Sequence, residues 1–212
     1  MKREEKTQKK ANKTKILAIG DIHGDTGLVK RLAEKAKKEN IDIVILAGDL
    51  TMAERSIEYL IGPFVNEKKQ VLLIPGNHES DSTIEFLAQT YNVKNIHGYG
   101  FIKDDLGIFG AGTANMGINQ IGDENIFRLL EKAHNEIKNT NKRIMVTHIH
   151  PSGSKAEKIF GFQGSKAVRK AIEKFQPDIA INAHMHEAGG MEEKIGKTWV
   201  INVSKKERVF EI

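Results

Sequence analysis

Five short apolar runs recur along the chain, and each breaks off at a residue able to bind a metal ion: KILAIGD at Lys15 to Asp21, DIVILAGD at Asp42 to Asp49, QVLLIPGNH at Gln70 to His78, RIMVTH at Arg143 to His148, and PDIAINAHMH at Pro177 to His186. Parallel strands buried on both faces need such Val/Ile/Leu-rich runs, and open α/β sheets place their ligands just beyond the carboxyl ends of those strands. The repeat therefore constrains the chain to an α/β fold whose strand ends converge on one chemically active rim. Those ends supply Asp21, His23, Asp49, Asn77, His78, His148, His184 and His186.

The intervening segments fit that frame. Thr26 to Asn40, Ala53 to Asn66, Ser80 to Tyr91, Asp123 to Lys138 and Ser165 to Phe175 carry Leu, Ile, Ala and Phe at helical spacing, with Lys and Glu on the other faces. Asn95 to Gly110 reads as short strands around a Lys103-Asp104-Asp105 turn, and Lys194 to Ile212 alternates as strands separated by Gly196-Lys197 and Ser204-Lys205-Lys206. The expected architecture is a two-sheet β-sandwich flanked by helices. Two glycine-rich stretches, Gly110 to Gly122 and His150 to Gly164, follow expected strands and so belong on the rim, as lips for a substrate.

The donor set is oxygen and imidazole without a thiolate, which suits manganese, iron, zinc, nickel or magnesium. Two ions, each with about four protein ligands and one shared carboxylate, would use this inventory; a single ion would leave several residues idle. Two such ions roughly 3.5 to 4 Å apart bind a bridging water, lower its pKa toward neutrality and hold phosphate oxygens for in-line attack by the resulting hydroxide. With Asp21 and Asp49 as the only carboxylates, the loaded centre stays net positive, and an anionic phosphate ester is its natural guest.

Any one pair read alone is a turn, since Gly, Asp and Asn after a strand commonly serve that purpose. Five such pairs at five strand ends favour the metal reading. Elsewhere the alternatives stay open. His150 is either a loop histidine before Pro151 or a group approaching metal or substrate. Gly164-Ser165 either offers backbone N–H groups to a phosphate or only caps the next helix. Glu79 either orients a ligand or caps the helix after it. His97 and His134 read as surface or core-edge residues.

DIH at Asp21 to His23, GD at Gly48-Asp49, GNHE at Gly76 to Glu79, TH at Thr147-His148 and HMH at His184 to His186 stand in the order and spacing that resembles the calcineurin-like metallophosphoesterase superfamily across residues 15 to 212. The stretch GSKAVRKAIEKFQPD at Gly164 to Asp178, leading into HMHEAGG, is similar to the Icc-related, cyclic-nucleotide phosphodiesterase-like branch. The resemblance implies one ion on Asp21, His23 and His186, the other on Asn77, His148 and His184, Asp49 bridging both, and His78 facing the leaving oxygen. Two positions depart from the family pattern. Ala183 replaces the usual glycine before the last two histidines, adding a methyl and restricting positive φ. Asn202, Val203 and Ser204 stand where Asn-Pro-Gly is common, which puts any substrate contact of that loop in doubt.

The activity expected is hydrolysis of small phosphodiesters or nucleotides, with manganese the expected activator in vitro. The alternatives are a nuclease, a phosphomonoesterase or protein phosphatase, and a non-enzymatic metal-binding scaffold. Protein phosphatases of the superfamily carry arginines after the GD and before the GNHE; this chain has Leu50-Thr51-Met52 and Pro75 instead. Loss of those bidentate phosphate clamps favours diesters. The scaffold is disfavoured because every ligand position is filled.

At 212 residues, one domain over 15 to 212 is expected, after a flexible basic tail at 1 to 14. Residues 1 to 15 hold seven Lys/Arg against Glu4 and Glu5, enough to account for the whole net charge of +5 and leave the rest balanced. A nucleic-acid partner is thus possible through the tail but not favoured. The absence of cysteine excludes disulfides and thiolate sites and fits an intracellular protein. The chain has no apolar signal region and no membrane-length apolar run, so a cytoplasmic location is expected. Its oligomeric state is not legible.

Overall fold

A computed structural model describes residues 13 to 212, so most of the basic stretch lies outside the described residues. Strands β1 (Lys15–Ile19), β2 (Ile43–Ala47), β3 (Gln70–Ile74), β4 (Lys94–Asn95) and β11 (Arg208–Glu211) form a five-stranded sheet in the order β11-β1-β2-β3-β4. Strands β5 (Gly100–Lys103), β6 (Leu106–Ala111), β7 (Lys142–Thr147), β8 (Ile179–Asn182), β9 (Glu192–Ile195) and β10 (Thr198–Asn202) form a second sheet in the order β5-β6-β7-β8-β10-β9. β1, β2 and β3 run parallel, as do β6, β7, β8 and β10; antiparallel pairing is confined to β11, β5 and β9 at the edges.

The apolar runs are continuous because both faces of each sheet are covered. Ile16, Ile43, Ile45, Leu72 and Ile74 of the first sheet meet Ile108, Ile144, Val146 and Ile181 of the second in an apolar layer between them. The alternate residues, such as Leu17, Val44, Leu46 and Leu73, pack outward against α1 (Thr26–Lys38), α2 (Gly62–Asn66) and α3 (Asp81–Tyr91). On the far side, Phe109, Met145 and Ala180 pack against α4 (Asp123–Ile137) and α6 (Lys166–Phe175). The result is the two-sheet α/β sandwich expected from the sequence.

Two expectations are corrected. The helix read over Ala53 to Asn66 shrinks to Gly62–Asn66. Ala53, Glu54 and Tyr59 adopt positive φ, and the amides of Ala53 and Glu54 bond His78 and Thr51 rather than a helical turn. Pro63 sits in the first turn of the shortened helix, where its missing N–H breaks no helical hydrogen bond. Conversely, the stretch His150 to Gly164 contains a short helix, α5 (Lys155–Phe160), capped by Ser154, whose side chain accepts from the Glu157 amide. The Ser154-x-x-Glu157 spacing is the capping signal that marks it. A further 3₁₀ turn covers His186–Ala188.

Candidate metal centre

The carboxyl ends of β1, β2 and β3 in one sheet and of β7 and β8 in the other open onto the same rim, and each delivers its ligand-type residue in the first few positions past the strand. Tight turns make this possible. Asp21, His23, Asp49 and His184 all sit at positive φ, between 49° and 68°, conformations that cost non-glycine residues energy and that packing must impose. Gly48 adopts φ 90°, and a Cβ there would stand 2.6 Å from His148 Nδ1 and 2.8 Å from the Gly76 backbone. Only glycine lets these three loops close over one another.

Three overlapping groups of donor atoms result: Asp21, His23 and His186; His23, Asp49 and His78; and Asp49, His148 and His184. Asn77 joins the last through its Oδ1, 3.2 Å from His148 Nε2. Asp49 stands between them, with Oδ2 at 3.7 Å from His23 Nε2 and 3.4 Å from His148 Nε2, while its Oδ1 accepts the His78 amide at 2.9 Å. His186 Nε2 lies 3.2 Å from both Asp21 Oδ1 and His23 Nε2.

The outward ring nitrogens fix the tautomers. His23 Nδ1 donates to Thr51 O at 3.2 Å and His148 Nδ1 to Ala47 O at 2.9 Å, so each neutral ring presents a bare Nε2 lone pair to the centre. His78 is reversed: its Nδ1 accepts the Ala53 amide at 3.2 Å, leaving the proton on the inward Nε2. Two lone-pair histidines facing buried carboxylates need a cation between them. The donor set thus fits divalent ions, while His78 is built to donate.

The titration pattern agrees. Burial opposes the charged form of Asp49, yet the His148 charge and the bonds from His148 and His78 overcome it and hold the carboxyl well below the usual carboxylate range. Asp21 is likewise buried but pulled down by His186 and His148. For His148, burial disfavours the cation, but Asp49 outweighs it and lifts the ring to about 9. Burial and the neighbouring His148 charge push His184 down to about 4. Without a metal ion, Asp49 thus favours a proton on His148.

Around the ligand-type residues lies a brace that sequence reading saw only in part. Glu79, fully buried, accepts from Thr51 N and Thr51 Oγ1, both at 2.7 Å, and from Gly76 N at 3.0 Å. It thereby ties the loop after β2 to the loop after β3 and does not cap α3, a task done by Ser80. Thr51 escaped notice because nothing in the sequence marks its carbonyl as the partner of His23. Asn202 plays the matching part on the other side, donating to Asn182 Oδ1 at 2.9 Å and Ala183 O at 3.2 Å and accepting from Ser204 N at 2.9 Å. Ala183 is not at positive φ; its methyl fills the space beside Gly20, and the left-handed residue is His184. Lys205, in the turn after β10, is the cation whose charge reaches His23 and His186.

At Gly164 and Ser165 the structure shows the capping alternative. Gly164 N donates to Glu157 at 3.1 Å, Ser165 N to His150 O at 2.9 Å, and Ser165 Oγ to Asp123 at 2.6 Å while capping α6. No N–H there is free for a ligand. His150 does reach the rim: it is buried, its Nε2 donates to Phe162 O at 3.1 Å, and its Nδ1 has no partner. His97 accepts the Gly112 amide at 2.9 Å, and His134 stacks on Phe175 at the core edge.

The calcineurin-like phosphoesterase family profile matches residues 14–188, more than half of the chain, and the chain belongs to that family. It is therefore a metal-dependent phosphoesterase with the Asp/His cluster such enzymes require. No curated protein matches it in sequence. Among solved structures it is similar to a protein of Thermus thermophilus (18% identity, TM-score 0.73, covering 94% of this chain and 99% of that one). It is also similar to a dimetal phosphatase from Danio rerio (12%, 0.65, 89% and 86%) and to an archaeal phosphodiesterase (17%, 0.53, 94% and 100%). At these identities the likeness is one of fold. No helix among the described residues is long and apolar enough to cross a membrane.

Proposed function

We propose that the protein is a dinuclear-metal phosphodiesterase of small phosphodiesters, nucleotides among them. Asp21, His23 and His186 would hold one ion, Asn77, His148 and His184 the other, with Asp49 shared. The observation that carries this reading is the opposite tautomer of His78 beside His23 and His148, whose Nδ1 protons are held by backbone carbonyls. When bound, the ions would supply charge for the phosphoryl oxygens and acidify the attacking water. The chain's own residues do the rest. Asp21 and Asp49 set the geometry, the backbone carbonyls of Ala47 and Thr51 hold the imidazoles in register, and His78 Nε2–H meets the leaving oxygen as hydrogen-bond donor and general acid.

A lean to diesters is supported by Leu50-Thr51-Met52 after the GD, where related protein phosphatases have a tyrosine–valine–aspartate–arginine–glycine run, and by Pro75, where they have an arginine before the GNHE. Manganese is the proposed activator, and a cysteine-free composition supports a cytoplasmic setting. The test is direct: purified protein with manganese should hydrolyse bis-p-nitrophenyl phosphate with a higher kcat/KM than p-nitrophenyl phosphate. A preference for the monoester overturns the diester assignment, and a flat trace across several metals restores the scaffold.

A further inference from the structure

Beside the proposed ions lies a cleft of about 200 Å³, bordered by Met116, His150, Phe162, Gln163, His184 and Glu187. It draws on both glycine-rich stretches, and each is rigidly held. Met116 rides on a loop pinned to Asn77: Asn119 N donates to Asn77 O at 3.1 Å, and at Gly117, with φ 101°, a Cβ would stand 2.6 Å from Asn77 Nδ2. Phe162 follows Gly161, which ends α5 in the left-handed conformation. Glu157 ties that loop at both ends, accepting from Gly153 N at 2.7 Å and Gly164 N at 3.1 Å, and His150 holds the Phe162 carbonyl.

Phe162, 54% exposed on a braced loop, and Met116, 36% exposed on another, border one cleft and serve no core. Exposed apolar groups rimmed by polar ones mark recognition surfaces, and an aromatic ring and a polarisable sulfur bordering one cleft suit a flat guest. The cleft is smaller than the roughly 300 to 1,000 Å³ of sites for drug-sized ligands and has room for about one ring system. Its polar border leans toward acceptors: the Glu187 carboxylate accepts, and Gln163 can do either. Glu187 also repels a second phosphate.

Building on the phosphodiesterase reading above, we propose that this cleft is a base-stacking subsite, in which Phe162 and Met116 clasp the nucleobase of a mononucleotide-type ester and the acceptors on its border select bases bearing an exocyclic amino group.

Manganese-loaded protein titrated calorimetrically with AMP, UMP and ribose 5-phosphate tests it. AMP should bind roughly tenfold or more tightly than ribose 5-phosphate, the size of one stacking contact, with UMP weaker than AMP. Phe162→Ala should erase the AMP advantage, Phe162→Trp should restore it, and Met116→Ala should reduce it. Equal affinities for AMP and ribose 5-phosphate in the wild-type protein, or an advantage untouched by Phe162→Ala, overturn the subsite. UMP binding as tightly as AMP overturns the selection by the acceptors. These outcomes stand apart from the phosphodiesterase reading, which falls if bis-p-nitrophenyl phosphate is not turned over at full metal occupancy or if the monoester is preferred.

Discussion

Thr51 O takes the Nδ1 proton of His23 and Ala47 O that of His148, whereas the Ala53 amide gives its hydrogen to Nδ1 of His78. The backbone thus assigns metal-ligand chemistry to two rings and donor chemistry to a third that shares Asp49 with them. The assignment separates under mutation. Asp49→Ala removes the oxygen lying between the two histidine groups and should lower metal content and activity together. His78→Ala should keep its metals, measured by atomic emission, and lose roughly 10²- to 10⁴-fold in kcat, about 3 to 5 kcal/mol of barrier. That loss should shrink along a series of better leaving groups, which need less protonation. A metal-free His78→Ala protein, or one equally active on poor leaving groups, would contradict the role.

At the scale of elements, what was legible followed from burial. Strands covered on both faces declare themselves as apolar runs, and α1, α3, α4 and α6 appear where 3.6-residue spacing predicts them. The ligand-type residues were legible because strand ends are the natural place for them. What failed to show was whatever depends on contacts distant in sequence. Ala53 to Ile61 has helical composition but is committed to loop contacts, with Glu54 accepting from Ser80 N and Thr83 Oγ1. The cleft between Met116 and Phe162 exists only once two separate loops fold toward one rim. Sequence alone leaves Glu79 either orienting a ligand or capping the next helix; it joins the loops after β2 and β3 instead, through Thr51 and Gly76. Glu79→Ala leaves three buried donors without their acceptor, at roughly 1 to 3 kcal/mol each. A loss of at least about 3 kcal/mol, lowering the melting temperature by roughly 6 to 12 °C, is expected in calorimetry. Metal affinity should weaken about 10- to 100-fold, as when other partners of metal ligands are removed. A melting temperature within about a degree of wild type would show that the two loops stay together without it.

At the scale of the whole molecule, the two sheets bring their carboxyl ends to one rim, so ligand-type residues from both halves of the sandwich are stabilised or strained together, and pH should reveal this. In the metal-free protein His148 is raised from 6.5 to about 9. Between those values the folded chain holds a proton that the unfolded chain has released, so this contribution is complete below pH 6.5 and is lost as pH climbs toward 9. His184 is lowered from 6.5 to about 4, and burial holds His23, His97, His134 and His150 below their ordinary value as well. These rings favour the unfolded chain once it protonates, so stability also falls on the acid side, from about 6.5 toward 4 for His184. The metal-free protein should therefore melt highest near pH 6.5. A metal ion must displace the His148 proton, so manganese should bind more tightly as pH rises through that upper window, releasing a proton on binding. The increase in melting temperature caused by manganese should accordingly grow between pH 6.5 and 9, and His148→Asn should flatten both slopes. A metal-free melting temperature that holds level or rises across that interval would show that the Asp49–His148 pair does not couple the two sheets.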